Sequence, residues 1–89
     1  MRIHQLKLHE DFCDDVLSGK KSFEIRKDDR DFQEGDHIKF RAVDDDGICT
    51  NHPINGKEFE ITYALVGWGL KDGYVALSIK EVNDGMAGD

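Results

Sequence analysis

Apolar and polar positions alternate at two different periods along this chain, and the change of period marks its elements. In Ile3-His4-Gln5-Leu6-Lys7-Leu8, Leu6 and Leu8 share one face at the strand period. From His9 to Ser18 the spacing becomes helical. Phe12, Val16 and Leu17 fall at i, i+4 and i+5 as a narrow apolar stripe, with Cys13 beside it as a small buried hydrophobe. Glu10 and Asp11 sit in the first turn, where carboxylates suit the positive end of the helix dipole. Gly19 offers the left-handed conformation that stops the helix.

After Gly19 the strand period returns. In Ser22-Phe23-Glu24-Ile25-Arg26, Phe23 and Ile25 face one way while Ser22, Glu24 and Arg26 face the other. His37 to Val43 alternates again, with Ile38, Phe40 and Ala42 on one face. Ile48 to Thr50 is a weaker segment. Lys57 to Val66 is the longest strand, with Phe59, Ile61, Tyr63 and Leu65 on one face, and Tyr74 to Val82 is the last. Between them lie a charged loop at Lys27 to Asp31, turns at Glu34-Gly35-Asp36 and Asp44-Asp45-Asp46-Gly47, and the glycine-punctuated loop from Gly67 to Gly73.

Strands dominate, and the connections after Ser22 lack a helical period, which argues against a parallel βαβ sheet. So few residues bury one face of every strand most easily if the sheet curls on itself, which also removes exposed edges. The expected fold is therefore α+β: a small mixed β-barrel of five to six strands with one helix at its mouth. It occupies residues 1–82 as one domain, and the small, polar tail 83–89 is expected to be disordered.

Composition narrows the function classes. Nineteen acids against twelve bases give a formal charge of −7 over 89 residues, which excludes a polybasic protein that holds nucleic acid by bulk charge alone. No apolar run approaches the ~18–20 residues of a membrane span. No export signal stands out, and two cysteines are too few for a disulfide scaffold, so a soluble, cytoplasmic protein is expected. The acidic total conceals a base-rich band, since Lys20, Lys21, Arg26, Lys27, Arg30, Lys39 and Arg41 all fall between positions 20 and 41.

The chemistry concentrates in Gly19-Lys20-Lys21-Ser22-Phe23-Glu24-Ile25-Arg26. If this stretch is extended, a hydroxyl, a carboxylate and a guanidinium project in a row from one face. The bland account is an exposed Glu24–Arg26 pair worth ~0.2–1 kcal/mol. The functional account is a polar wall: Arg26 and Lys21 contact phosphate or carbonyl oxygens, and Glu24, acceptor-only when ionised, suits an exocyclic amino group. An aromatic ring must then supply a stacking surface, with Trp68, Tyr74 and Phe32 as candidates.

Gly19, Lys21, Glu24 and Arg26 match the Gly-x-Lys-x-x-Glu-x-Arg signature of ASCH domains, and the chain resembles members of that PUA-like superfamily. The likeness spans roughly positions 4 to 80. It takes in Leu6-Lys7 before the helix, Arg26 to Phe32, Gly35-Asp36 and Gly73 to Leu77, as in a small bacterial and phage group of uncharacterised ASCH-like domains. The resemblance implies a pseudo-barrel with a cleft for RNA or a nucleotide-like ligand, lined by Lys21, Glu24 and Arg26. Lys7, Trp68 and Tyr74 are further candidate ligand contacts. One branch of the family is an amidohydrolase acting on N4-acetylcytidine. Its lysine falls on Lys21, but its threonine falls on Glu24; Ser22 offers a hydroxyl two residues earlier, and its distant glutamate has no secure counterpart. A carboxylate beside Lys21 favours a charged ion-pair partner over a catalytic base, and so binding over hydrolysis. If the chain is an enzyme, Lys21, Glu24 and Ser22 are its catalytic residues; a third reading is a protein-interaction module.

Other motifs add little. Cys49 and His52 are half of a zinc pattern, and Asp44 to Gly47 is part of a calcium-loop pattern that lacks its closing glutamate, so no metal is expected. No P-loop or dinucleotide fingerprint occurs, so no cofactor is expected. Asp29-Arg30 reads as a clamp on the loop after the motif strand. On charge alone a small ligand is favoured over a long polymer, while the family resemblance favours RNA. The oligomeric state is not legible.

Overall fold

The structure, a computed structural model, describes residues 1–82; the tail expected to be disordered, 83–89, lies outside the described residues. Along the chain come β1 (Ile3–His9), α1 (Glu10–Ser18), β2 (Phe23–Lys27), β3 (His37–Val43), β4 (Glu58–Leu65) and β5 (Tyr74–Glu81). They form one sheet in the order β1-β3-β4-β5-β2. β1 runs parallel to β3, and the remaining pairings are antiparallel. The sheet curls into a half-barrel with one helix, the α+β pseudo-barrel that the alternation predicts. The strands number five, because Ile48 to Thr50 contributes only an isolated bridge between Cys49 and Val43. There the Asp44 carboxylate accepts from the amides of Asp46 and Ile48, both at 2.9 Å, so the chain is spent on a tight turn.

The interior is filled from both sheet and helix: Leu6 and Leu8 of β1, Ile38 and Phe40 of β3, Phe59 and Ile61 of β4, and Val75, Leu77 and Ile79 of β5 are all buried. Phe40 and Phe59 meet edge to face with centroids 5.4 Å apart. α1 buries Cys13 and Val16. His9 caps its start, Nδ1 accepting from the Asp11 amide at 3.1 Å, and Gly19 ends it at φ 85°.

Two expected orientations are corrected. Phe12, read as part of the buried helical stripe, is half-exposed, because the short helix turns Cys13 and Val16 inward and carries Phe12 toward β2. Tyr63 was expected on the buried face of β4 and is 56% exposed. A bulge between Ile61 and Tyr63 inserts one residue, so Ile61 faces Ile79 but Tyr63 faces Ser78, and Ala64 turns to the core instead. β2 keeps its expected alternation, with the polar face turned inward. Glu24 lies opposite buried Leu77 and Arg26 opposite buried Val75, while Phe23 and Ile25 are half-exposed on the outer face.

β1 and β2 are the two edges of the curled sheet, and arginines join them. Gln5 and Lys7 are two residues apart on β1, so their carbonyls point off the same edge. Arg30 Nη1 donates to the Gln5 carbonyl at 3.2 Å and Arg26 Nη2 to the Lys7 carbonyl at 2.7 Å. Arg2 reaches across to the carbonyls of Arg30 and Asp31, the latter at 3.0 Å. Guanidinium groups thus satisfy carbonyls that a neighbouring strand would otherwise take. The expected clamp at Arg30 is one of these contacts.

A second tie holds the start of β1. Asp36 is buried; its carboxylate accepts from the Arg2 amide at 3.1 Å, from His4 Nε2 at 2.9 Å and from the Gln33 amide at 3.2 Å. The ring of His4, also buried, rests on Phe32, centroids 4.7 Å apart. Burial pushes the Asp36 carboxyl up, but the bonds from His4, Arg2 and Gln33 together hold it below the usual carboxylate range. An ionised Asp36 therefore stabilises the fold above the ordinary carboxyl value near ~4, and that contribution is lost as pH falls through the lower folded value. Asp36→Asn should cost about 1–3 kcal/mol at neutral pH, since one acceptor becomes a donor among three donors. Thermal melts between pH 6 and pH 2 check it: below about pH 4 the melting temperature of the native chain should fall more steeply than that of the variant. Parallel curves would assign the acid sensitivity to other groups.

Candidate functional site

Apart from the buried Asp36–His4 tie, the interior of the half-barrel is apolar except beside β2. β2 is an edge strand of five residues, and its inward positions carry Glu24 and Arg26 rather than aliphatic side chains. Glu24 is only 4% exposed, so the bland account of a surface ion pair does not hold. Lys21 Nζ donates to Oε2 of Glu24 at 2.8 Å and Arg26 Nε to Oε1 at 3.1 Å, with both cations partly exposed. A buried carboxylate without such partners would be costly, and here each oxygen has its own cation.

The two cations are themselves fixed. Lys21 Nζ donates to the Phe23 carbonyl at 2.9 Å and stands 4.8 Å from the centroid of Phe23 and 5.5 Å from that of Phe12. Its backbone N–H is held by the Asp15 carbonyl at 2.9 Å, which sets the turn after Gly19. Arg26 spends a second nitrogen on the Lys7 carbonyl across the seam. Helix, motif strand and β1 are thereby tied through a single carboxylate.

These groups surround a hollow of about 440 Å³, lined by Lys7, Leu8, His9, Phe12, Lys21, Phe23, Glu24, Ile25 and Arg26. Its volume lies in the range of small-molecule sites. The polar wall is Lys21, Glu24 and Arg26, and Lys7 also lines the hollow. His9 bonds Asp45 through Nε2 while Nδ1 caps the helix. This network assigns the proton to Nε2. The Asp45 bond raises His9 above the ordinary imidazole value, against an opposing effect of desolvation.

The structure does not gather the remaining expected residues here. Ser22 precedes β2 and lines a different hollow, with Val16, Phe59 and Ile79, so the expected Ser22-Glu24-Arg26 row is broken after its first member. Trp68 is 91% exposed at φ 51° in the β4–β5 loop and lines none of the cavities found among the described residues. Tyr74 opens β5 opposite Lys27, with Lys71 Nζ 5.7 Å from its ring, outside the hollow. Phe32 is buried against His4. The aromatic walls come instead from Phe12 and Phe23. A hint of this is present in the sequence: each lies within a few positions of the motif residues, although the helical stripe places Phe12 in the core.

The half-zinc pattern disperses. Cys49 is exposed, and His52 Nε2 lies 2.7 Å from the Asp14 carboxylate instead. Among the described residues no three His, Cys, Asp or Glu side chains converge as metal ligands, and no helix is long and apolar enough to cross a membrane.

Comparison with known proteins fits this fold without adding an activity. A crystal structure titled as that of hypothetical protein PH0355 superposes with a TM-score of 0.61, covering 92% of this chain and all of the other at 17% identity, a likeness of fold alone. An uncharacterized 12.9 kDa protein in the GpA 3' region of Escherichia phage P2 is 51% identical over 76 residues, which is 85% of this chain and 66% of that protein. The chain therefore spans just under two thirds of that relative's length. The family model described as a domain of unknown function, DUF3850, matches residues 3–79, from the start of β1 to within two residues of the end of β5, and the chain belongs to that family.

Proposed function

We propose that this domain binds RNA or a nucleotide-like ligand in the hollow between α1, β1 and β2, without catalysis. The observation that carries the reading is the buried Glu24 carboxylate, held by Lys21 and Arg26 at the wall of a cavity flanked by two phenylalanines. Each Glu24 oxygen keeps a second lone pair for an amino group such as that of cytosine or adenine. Phe12 and Phe23, both half-exposed, offer faces on which a base can stack for about 1–3 kcal/mol. The resemblance to ASCH domains and their PUA-like relatives supports the same ligand class.

Binding is favoured over amide hydrolysis by what occupies Lys21 and Ser22. The Lys21 ammonium already donates to Glu24 and to the Phe23 carbonyl, leaving it a positioning charge. The Ser22 hydroxyl, the substitute for the missing threonine, lies outside the hollow.

Calorimetric titration with cytidine, adenosine and uridine tests the proposal. Cytidine and adenosine should bind, and uridine, which presents a carbonyl where cytidine has an amine, should bind at least ~10-fold more weakly. Glu24→Gln should abolish that preference, and Phe23→Ala should weaken all three by about 5- to 100-fold, the loss of one stacking face. Equal affinity for the three bases, or none at millimolar concentration in a folded sample, overturns the reading. Incubation with N4-acetylcytidine should leave it intact; release of cytidine that disappears in Lys21→Ala would establish the hydrolase instead.

A further inference from the structure

A second hollow, of about 390 Å³, lies beside the first on the outer face of β1 and β3. Four basic side chains line it, Lys7, Lys39, Arg41 and Lys57, together with the amides Gln5 and Asn55; no carboxylate does. In a chain of net charge −7 this is a marked segregation. The parallel register sets Gln5 opposite Lys39 and Lys7 opposite Arg41, so two cations stand directly across from one another on adjacent strands. Like charges so placed destabilise a sheet. Among the described residues, no carboxylate lies within 4 Å of either Lys7 or Arg41, and the Lys39–Glu58 and Lys57–Glu81 contacts are loose at 3.9 Å. Exposed pairs of that kind neutralise little, and Glu58 also holds His37.

The fourth cation is brought in by a built loop. Asn55 Oδ1 accepts from the Ala42 amide and Nδ2 donates to the Thr50 carbonyl, both at 2.8 Å. Ile54 beside it is fully buried, and the Lys57 amide closes the turn on the Ile54 carbonyl at 2.9 Å. The loop is thus pinned to β3 at Ala42 and to the preceding segment at Thr50, and Lys57 joins the lining beside the strand pair.

We infer that this hollow receives the phosphates of a single-stranded nucleic acid whose base occupies the neighbouring cleft, an inference that rests on the reading of that cleft given above. Lys7 lines both hollows, and its carbonyl accepts the Arg26 guanidinium. The two cavities therefore share a wall, and basic groups run from Arg26 through Lys7 and Arg41 to Lys39 and Lys57. Side chains of this kind bind phosphate as point charges or, for Arg41, through a planar fork. The acidic total acts at a distance, whereas the contact zone is cationic, so a strand gains here what a free nucleoside cannot.

Fluorescence anisotropy with a labelled cytidine-rich octanucleotide, between 50 and 300 mM NaCl, tests the inference, with cytidine, cytidine monophosphate and inorganic phosphate as competitors. The octamer should bind at least ~10-fold more tightly than cytidine. Its affinity should fall with salt at a log–log slope of about −1.5 to −2, as for two or three phosphates on a single strand. The double variant Lys39→Gln/Arg41→Gln should weaken the octamer ~10-fold or more and reduce the slope by about one, leaving cytidine binding unchanged. Both side chains are outward-facing on β3, and removing Arg41 relieves a like-charge pair, so the melting temperature should hold or rise. Cytidine binding with an octamer no tighter, or an octamer indifferent to the double variant, overturns the phosphate hollow and spares the cleft. Inorganic phosphate competing as strongly as the octamer overturns the strand as occupant. An octamer that depends on Lys39 and Arg41, with no affinity for cytidine and none lost in Glu24→Gln, upholds the phosphate hollow and overturns the cleft.

Discussion

One carboxylate organises the polar half of this molecule. Glu24 is buried where its neighbours across the sheet are aliphatic, and a charge in that position persists only if it is compensated. Lys21 compensates it from the turn after the helix, and Arg26 from the same strand. Because Arg26 also holds the Lys7 carbonyl, the local charge balance of Glu24 is connected to closure of the sheet. Helix, motif strand and first strand keep their relative positions through groups that can be solvated on one side. The hollow exists because this corner of the interior is polar and is not filled by apolar side chains.

That corner is polar for a reason that lies in the topology. β1 and β2 are the edges of a five-stranded sheet bent toward one another, and no ladder of backbone bonds joins them. Arg2, Arg26 and Arg30 each donate to carbonyls on the far side of the seam. A side-chain seam satisfies edge carbonyls as a strand would, yet leaves room between the edges. One of these arginines, Arg26, also carries charge at the cleft. Six of the twelve basic side chains, Lys7, Lys21, Arg26, Lys39, Arg41 and Lys57, line two hollows that share Lys7. Net charge is consequently a poor guide to what this surface attracts.

Legibility varied along the chain with the strength of local constraint. Gly19 as a helix stop, Cys13 as a buried hydrophobe, the alternation of β3 and the Asp44 turn were all readable, because each follows from backbone sterics or from burial on one face. Tyr63 was misread, since a one-residue bulge inverts every side chain after it and leaves no trace in the alternation itself. Phe12 was misread because a helix of nine residues leaves part of its apolar stripe uncovered. Apolar side chains are ordinarily buried, but a strand at the seam can face its polar residues inward when they are mutually satisfied, and the rings of Phe12 and Phe23 each gain a cation–π contact with Lys21 while staying half in water. Trp68 stands almost wholly in solvent on a glycine-flanked loop, far from the role its ring suggested.

The spacing of residues alone determined the kinds of elements and their order, the helix boundaries, the curled sheet and the shared face of Glu24 and Arg26. These are short-range matters: period, turn chemistry and the pairing of charges a few positions apart act within one element. The tertiary structure alone decided which face of β2 turns inward, which rings flank the charged wall, and that Lys7, Lys39, Arg41 and Lys57 meet. Those outcomes depend on register between strands distant in sequence and on how the two sheet edges close, and no local pattern encodes either.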